Sequence, residues 1–233
     1  MVRRLFVEAT LHEGASVVLD GAQAAWLGRV MRRHTGDRIA LFNGRDGEWE
    51  AEILRLERGS GQVAALGRRR IQTAPSDIWL AFAPTKRGMA DLAVRQATEL
   101  GAARILPVIT ARSVVDRLNR QRLRRIAVEA AEQCGRLDVP DVISPASLQT
   151  LLTEWPTERP LAICHPGGGA MQAGPSPGGL LLGPEGGFAA AELDAFAETR
   201  FVRLVDLGPR ILRAETAVVA ALSMRQAIWG DEA

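Results

Sequence analysis

The chain has 233 residues, of which 47% are hydrophobic and 24% charged, a composition typical of folded globular proteins and not of disordered or fibrous chains. The net charge of +2 excludes a polycation that binds nucleic acid through its overall charge. Cys134 and Cys164 are too few and too far apart for a disulfide scaffold or a zinc site, so we expect no metal. Since no apolar run has the length of a membrane span and no signal peptide is recognisable, we expect a cytoplasmic, reduced protein.

Basic residues exceed acidic ones only in the first two thirds of the chain. Residues 1–75 contain 12 basic and 9 acidic side chains, 76–160 contain 12 and 10, and 161–233 contain 5 and 8. Every basic residue except Lys86 is arginine, whose planar guanidinium suits phosphate and base recognition. Codon use in a GC-rich genome is the simpler explanation of the arginine bias as a whole.

The first 72 residues have the pattern of short strands joined by tight turns. Asn43-Gly44 and Asp46-Gly47 are typical hairpin turns, and a helix is predicted over 22–31. Runs that mix β-branched and aromatic residues predict strands over 4–9, 16–20, 37–44 and 48–57, and 62–70 closes the set. This pattern predicts a small β-barrel in residues 1–72.

The pattern changes after a linker at 73–77, and residues 73–233 alternate strands with helices. Residues 78–83 form a continuous apolar run, as expected for a strand buried on both faces. Further strands are predicted over 104–108, 161–164, 179–182 and 201–204, and helices over 89–100, 121–134, 189–199 and 215–229. The alternation predicts an α/β domain with a mostly parallel sheet. Residues 166–179, rich in glycine and proline, are predicted to be a mobile surface loop.

Two glycine-containing segments near the C-terminus carry the main functional signal. LLLGPEGGF (180–188) and VDLGPRILRAETA (205–217) each run from a strand through a glycine turn into a helix. The carboxyl ends of parallel strands meet at one edge of a sheet, so both turns are expected to form one ligand site there. Neither segment matches a P-loop, and no GxGxxG follows the first strand of the α/β part. Two purely structural turns remain the alternative.

Four motifs make the chain resemble a known family: GPEGGF, LGxRILRxETA, ATELG (97–101) and EAAEQCGRLDVP (129–140). They look like those of the bacterial ribosomal RNA small subunit methyltransferase E family, SPOUT-class enzymes that methylate N3 of a 16S rRNA uridine near the decoding centre. RRLFVE and the segment from WLGRVM to EAEI resemble that family's PUA-like domain. The resemblance covers nearly the whole chain. It implies S-adenosylmethionine as cofactor, a C-terminal trefoil knot, a homodimer and the 30S subunit as substrate, and the lack of a long apolar run predicts no membrane contact.

The resemblance places the cofactor between the two glycine segments. Backbone N–H and C=O groups can hold an adenine there, and apolar side chains can enclose it. For the three leucines of the set, plain core packing is an equally good explanation. The expected cofactor-binding residues are Leu182, Gly183, Pro184, Glu185, Gly186, Gly187, Leu207, Gly208, Ile211 and Leu212.

Uridine N3 is a poor nucleophile while protonated, so a base or a cation beside the carbonyl oxygens would assist its methylation. The expected catalytic residues are Arg213, Arg210, Glu185 and Arg136, the last from a neighbouring element or subunit. As an alternative, Glu185 only stabilises the dipole of the following helix. The identity of a general base stays open.

RNA contacts are expected from arginines of the N-terminal domain. Arg29, Arg32 and Arg33 have helical spacing and are predicted to share a face. The expected RNA-binding residues are Arg3, Arg4, Arg29, Arg32, Arg33 and His34. A second basic cluster, which has a solvated face as its alternative, comprises Arg112, Arg117, Arg120, Arg122, Arg124 and Arg125.

Two other functions stay open: methylation of a different RNA or base atom, and RNA binding without catalysis, as in an assembly factor. A hydrolase is disfavoured because no histidine lies in a motif with serine or cysteine. One position departs from the family pattern. Ala189 stands where the family usually has Ser or Thr, so one bond of the helix cap is lost at a cost of about 1 kcal/mol, although Glu192 remains.

Overall fold

The computed structural model describes residues 3–84, 87–113, 118–172 and 176–230, and these residues belong to two compact units. The first unit contains the chain up to Ala74 together with Ala131–Val139. The second contains Pro75–Ala130 and the chain from Pro140 onward. None of the described helices is long and apolar enough to cross a membrane.

The first unit is built on a five-stranded mixed sheet in the order β1-β3-β4-β5-β2. Its strands are β1 (Arg4–Phe6), β2 (Ser16–Leu19), β3 (Arg38–Phe42), β4 (Glu48–Glu57) and β5 (Ser60–Arg70). β1 pairs with β3 in parallel, and the other pairs are antiparallel. The predicted strands are confirmed. Among the described residues the edge strands β1 and β2 share no ladder, so the backbone pairing forms an open sheet and not the closed barrel that the pattern predicts.

The connections of the first unit confirm one prediction and correct another. Gly44 and Gly47, at φ +79° and +83°, form the predicted turn between β3 and β4. The predicted helix over 22–31 is instead α1 (Gly21–Ala25), capped by Asp20, and a π-helical turn, Trp26–Val30. The backbone then leaves the helix, with Arg32 at φ +52°. Arg29, Arg32 and Arg33 therefore do not lie on one helical face.

Residues 131–139 belong to the first unit because the Arg4 side chain contacts their backbone. Its guanidinium donates hydrogen bonds to the carbonyl oxygens of Ala131 (2.8 Å) and Arg136, and pairs with Glu48 at 2.6 Å. Glu132 accepts a hydrogen bond from the Phe6 N–H at 2.9 Å. The domain boundary expected from the sequence, between residues 72 and 73, assigns residues 131–139 to the second domain. In the structure these residues belong to the first unit.

The second unit is built on a seven-stranded sheet flanked by helices. Its main path runs β12-β10-β11-β6-β7-β8, β9 pairs with β7, and every pair is parallel. The predicted parallel sheet is thus confirmed. The strands are β6 (Trp79–Phe82), β7 (Arg104–Ile109), β8 (Asp141–Val142), β9 (Ala146–Ser147), β10 (Leu161–Ala170), β11 (Gly179–Leu182) and β12 (Val202–Asp206). The helices are α2 (Arg87–Glu99), α3 (Arg120–Cys134, of which the last four residues belong to the first unit), α4 (Leu148–Glu154), α5 (Ala190–Glu198) and α6 (Ala214–Trp229).

The predicted loop at 166–179 is wrong over its first part, because β10 continues to Ala170. After a register shift between Cys164 and Gly169 the strand pairs again with β12. Glycine permits this approach, since a Cβ atom on Gly168 would lie 2.7 Å from the backbone N of Val205. Residues 173–175 lie outside the described residues.

Candidate functional site

The two glycine segments meet at one edge of the sheet. β10, β11 and β12 are parallel, and both β11 and β12 pair with β10, so the carboxyl ends of β11 and β12 lie on either side of β10 at the same edge. The first loop (183–189) follows β11, and the second loop (207–213) follows β12. They enclose a cavity of about 390 Å³, the first cavity.

The first cavity brings together nine of the ten expected cofactor-binding residues. The exception is Gly208, whose backbone instead bonds the neighbouring Asp206. Of the expected catalytic residues, Arg210 and Glu185 line this cavity. Its other lining residues are Cys164, His165, Pro166, Phe188, Asp206, Ala214 and Ala217, none of which the motifs singled out as site residues. Cys164 and His165 lie where the register of β10 shifts, beside the end of β11, and Asp206 is the last residue of β12.

The first loop is held by packing and by an arginine. A Cβ atom on Gly183 would lie 2.8 Å from the Phe188 ring, which itself packs edge to face on Phe196 with ring centroids 4.9 Å apart. The Arg112 Nη1 donates a hydrogen bond of 2.6 Å to the Gly186 carbonyl. Arg112 therefore positions this loop, whereas the sequence suggested an RNA contact.

The helix that follows the first loop has half of a capping box. Ala189 occupies the N-cap position with φ −74° and ψ 159° and has no side-chain bond to offer. Glu192 accepts the Ala189 N–H at 2.7 Å through one oxygen and the Ala111 N–H at 2.8 Å through the other. The expected loss of one cap bond is confirmed. The remaining carboxylate joins α5 to the loop after β7.

The second loop has irregular backbone and is bonded to the last residue of β12. Asp206 accepts hydrogen bonds from the N–H groups of Gly167 and Gly208, both at 2.9 Å. The Gly167 N–H, followed by that of Gly208, stabilises the charged carboxylate and lowers the pKa of Asp206 below its ordinary 3.8. Burial raises the pKa of the Cys164 thiol to about 12. The thiol therefore stays uncharged and lines the first cavity without acting as a nucleophile.

A second cavity of about 740 Å³ adjoins the first. Glu185, Ile211 and Leu212 line both cavities. The second is completed by Gly88, Met89, Leu92, Arg213 and Glu215. In the described part of the chain, Arg213 and Arg210 make no ion pair, so their guanidinium groups are available to a ligand.

Arg136 and Arg4 have structural contacts in the first unit. Arg136 pairs with Asp138 at 2.6 Å. The Arg4 side chain is 10% exposed, stacks 4.4 Å from the Phe42 ring centroid and is bonded on all three nitrogens. The structure thus gives Arg4 a role in folding, which differs from the expected RNA contact, because its guanidinium cannot reach a phosphate without breaking these bonds.

The other expected RNA-binding residues are more accessible. Arg3, Arg29, Arg32 and His34 are exposed, and Arg33 is half-buried. Arg29, Arg33 and His34 line a cavity of about 610 Å³ in the first unit, the basic groove. Arg58, which the sequence did not single out, lines it too.

Besides Arg112, two further arginines of the second basic cluster are used within the fold. Arg120 donates to the Val142 carbonyl and pairs with Asp141, and Arg122 pairs with Asp91. Arg117 lies outside the described residues. Within the ranges that the structure describes, no group of three or more His, Cys, Asp or Glu side chains could hold a metal ion.

Two family models match the chain. An RNA methyltransferase domain matches residues 72–226, and an RNA methyltransferase PUA domain matches residues 19–66. Curated relatives match over nearly the whole chain. The ribosomal RNA small subunit methyltransferase E of Synechocystis sp. is 31% identical over 98% of this chain and 78% of its own length. That of Rickettsia conorii is 29% identical over 94% of this chain and 93% of its own.

Solved structures agree with both matches. The ribosomal RNA small subunit methyltransferase E of Neisseria gonorrhoeae, bound to S-adenosyl methionine, superposes with a TM-score of 0.91 at 28% identity over the whole of both chains. A methyltransferase of Legionella pneumophila, also with bound cofactor, has a TM-score of 0.86 at 28% identity and covers 97% of this chain and 98% of its own. The expected PUA-like unit and SPOUT-type parallel sheet are confirmed. The chain belongs to the ribosomal RNA small subunit methyltransferase E family.

Proposed function

We propose that the protein transfers the methyl group of S-adenosylmethionine to N3 of a specific uridine of 16S rRNA, in the 30S subunit near the decoding centre. The observation that carries the proposal is the pair of adjoining cavities at the carboxyl edge of the parallel sheet. The family membership and the cofactor-bound relatives support the cofactor and the substrate class.

The residues around the first cavity fit S-adenosylmethionine. Its volume of about 390 Å³ lies within the range of small-molecule sites. Leu182, Phe188 and Leu212 supply apolar walls for a flat adenine, and the glycines expose backbone N–H and C=O groups. When bound, the cofactor supplies an already activated methyl group. The chain then has to hold donor and acceptor in line and exclude water.

The second cavity suits the acceptor base, because it shares a wall with the first. Arg213 lines the second cavity only, so its guanidinium can stabilise negative charge on the uridine carbonyl oxygens as N3 loses its proton. Glu185 lines both cavities and is our candidate to accept that proton or to orient the cofactor. Arg210, in the first cavity, is a second cation for the site. Arg136 is a weaker candidate, since Asp138 already neutralises it.

The basic groove and the exposed arginines beside it are our proposed RNA contacts. Arg29 and Arg58 have exposed side chains, and no described residue forms an ion pair with either of them. Together with Arg3, Arg32, Arg33 and His34 they can neutralise phosphates, which positions an RNA without reading its sequence. Since N3 faces the pairing partner in a helix, the target uridine must be turned out of its stack.

We also propose that the enzyme is a homodimer that works in the cytoplasm and has a trefoil knot. The family resemblance of the two glycine segments supports the knot. Ile211 is 90% exposed although it lines both cavities, which favours a cover supplied by RNA or by a partner subunit. Light scattering tests the dimer: we expect about twice the chain mass of 25.2 kDa.

Incubation with labelled S-adenosylmethionine and 30S subunits that lack the modification tests the proposed function. We expect label in one uridine of 16S rRNA, identified as 3-methyluridine by mass spectrometry of nucleosides. Label in another base or RNA would support a related methyltransferase instead. No label, together with no heat of binding at millimolar S-adenosylmethionine, would support a non-catalytic RNA-binding factor.

A further inference from the structure

A single carboxylate joins the second loop to the end of β10. Asp206 is the last residue of β12 and lines the first cavity. Its Oδ1 accepts the Gly208 N–H and its Oδ2 accepts the Gly167 N–H, both at 2.9 Å. Gly167 lies in β10 between the two parts that pair with β12, and Gly208 belongs to the second loop. The two oxygens therefore bind two segments that are 41 residues apart in the chain, from 167 to 208.

The second loop depends on this carboxylate. Gly167 and Gly208 have φ of +81° and +120°, which glycine adopts readily and which interrupt the regular strand conformation. Among the residues that the structure describes, 207–212 make no hydrogen bond except to Asp206. The first loop, by contrast, is held by Arg112 and by Glu192. Removal of the Asp206 charge thus leaves the second loop without its anchor.

The carboxylate of Asp206 is ionised at neutral pH. The N–H groups of Gly167 and Gly208 lower the pKa of Asp206 below 3.8, because they bond the charged form. A lowered pKa means that the contribution is complete above about pH 4 and is lost only as the pH falls through the lowered value. Arg210, His165, Glu185 and the neutral Cys164 thiol are the other ionisable groups that line the first cavity.

We propose that Asp206 is a positioning residue of the cofactor site, whose carboxylate holds the second loop against β10 so that Leu207, Ile211 and Leu212 line the first cavity. The proposal rests on the proposed cofactor. Asp206 acts through the loop and not on the transferred methyl group. Its loss should therefore weaken cofactor affinity more than turnover at saturating cofactor.

Asp206→Asn is the decisive variant, because it keeps the shape and replaces one acceptor oxygen by an NH₂ group facing a backbone N–H. We expect the Kd for S-adenosylmethionine, measured by calorimetry, to rise at least about tenfold, while kcat at saturating cofactor changes less than about threefold. Asp194→Asn, which removes an exposed carboxylate from α5, is the matched control and should bind like the parent. Unchanged affinity in Asp206→Asn, or an equal loss of affinity and kcat, would overturn the proposal.

A measurement on the parent protein keeps the test independent of how the variant folds. Hydrogen exchange in the absence of cofactor should show protected amides at Gly167 and Gly208, and faster exchange at 207–212 alone in the variant. Unprotected, fast exchange of both amides in the parent would contradict the proposed hydrogen bonds from Gly167 and Gly208 to Asp206. Failure of the parent to bind S-adenosylmethionine would instead contradict the proposed function, so the two failures are distinguishable.

Discussion

At the scale of single residues, the two free arginines of the site border different cavities. Arg210 lines the first cavity and Arg213 lines the second. Arg213 is also the N-cap residue of α6, but its side chain makes no capping bond. Truncation of this side chain therefore removes a charge from the second cavity without removing a bond that holds the fold.

We expect Arg213→Ala to reduce kcat by a factor of about 100 or more, because a positioned cation beside a developing oxyanion contributes on that scale. The Kd for S-adenosylmethionine should stay within about twofold, since the residue does not line the first cavity. Single-turnover methylation and calorimetry measure the two quantities. Arg200→Ala, an exposed arginine outside both cavities, is the control. A parallel loss of binding and turnover would contradict this division of roles.

Two adjacent glycines of β10 provide a matched pair of variants for the close approach of this strand to β12. A Cβ atom on Gly168 would lie 2.7 Å from the backbone N of Val205, whereas one on Gly169 would meet only the Leu204 oxygen at 3.8 Å. We expect Gly168→Ala to lower the free energy of unfolding by about 1–3 kcal/mol, and to weaken cofactor binding because the second loop follows Val205 and Asp206. Gly169→Ala should leave both unchanged. Equal stability of the two variants in urea denaturation would contradict the importance of this close approach.

At the scale of elements, the start of α5 is weaker than it could be. Ala189 has the extended backbone of an N-cap residue but no acceptor, so the helix relies on Glu192 alone. We expect Ala189→Ser to raise the free energy of unfolding by about 0.5–1 kcal/mol, because the hydroxyl can accept the N–H of Glu192. Thermal or urea denaturation measures the gain. Ala190→Ser, one residue inside the helix, should give none; an equal gain there would exclude capping as the cause.

The elements also show which parts of the fold a local pattern can predict. β6 and β11 are continuous apolar strands, and both glycine loops lie at strand ends, so periodicity and composition locate them. β8 and β9 have two residues each, too few for any period to appear. The far half of β10 contains Gly167–Gly169, which alone resembles a loop and becomes strand only through pairing with β12. Asp206 gains its significance from a partner 39 residues away, and such contacts leave no local signal.

At the scale of the whole molecule, α6 has an inner and an outer face. Ala214, Val218, Ala221 and Leu222 are buried within the second unit, where α6 contacts α2 and β11. The outer face contains Thr216, Val219, Ser223 and Ala227, all exposed and without charge. The inner face accounts for part of the apolar character of the helix. A second subunit that packs on the outer face would explain why these exposed residues carry no charge.

We expect Val219→Glu to convert the proposed homodimer into monomers, because an unpaired carboxylate at the centre of an apolar interface would lose its hydration. Val219 is 37% exposed, so the same change in an isolated chain would cost little folding energy. Val18→Glu, at a 76% exposed valine of β2, is the control for added charge. Light scattering should report halved mass for Val219→Glu alone, with methylation of 30S subunits reduced in parallel if both subunits build the site. A parent protein that is already monomeric would exclude the dimer, whereas a monomeric variant with full activity would show that one subunit is sufficient for methyl transfer.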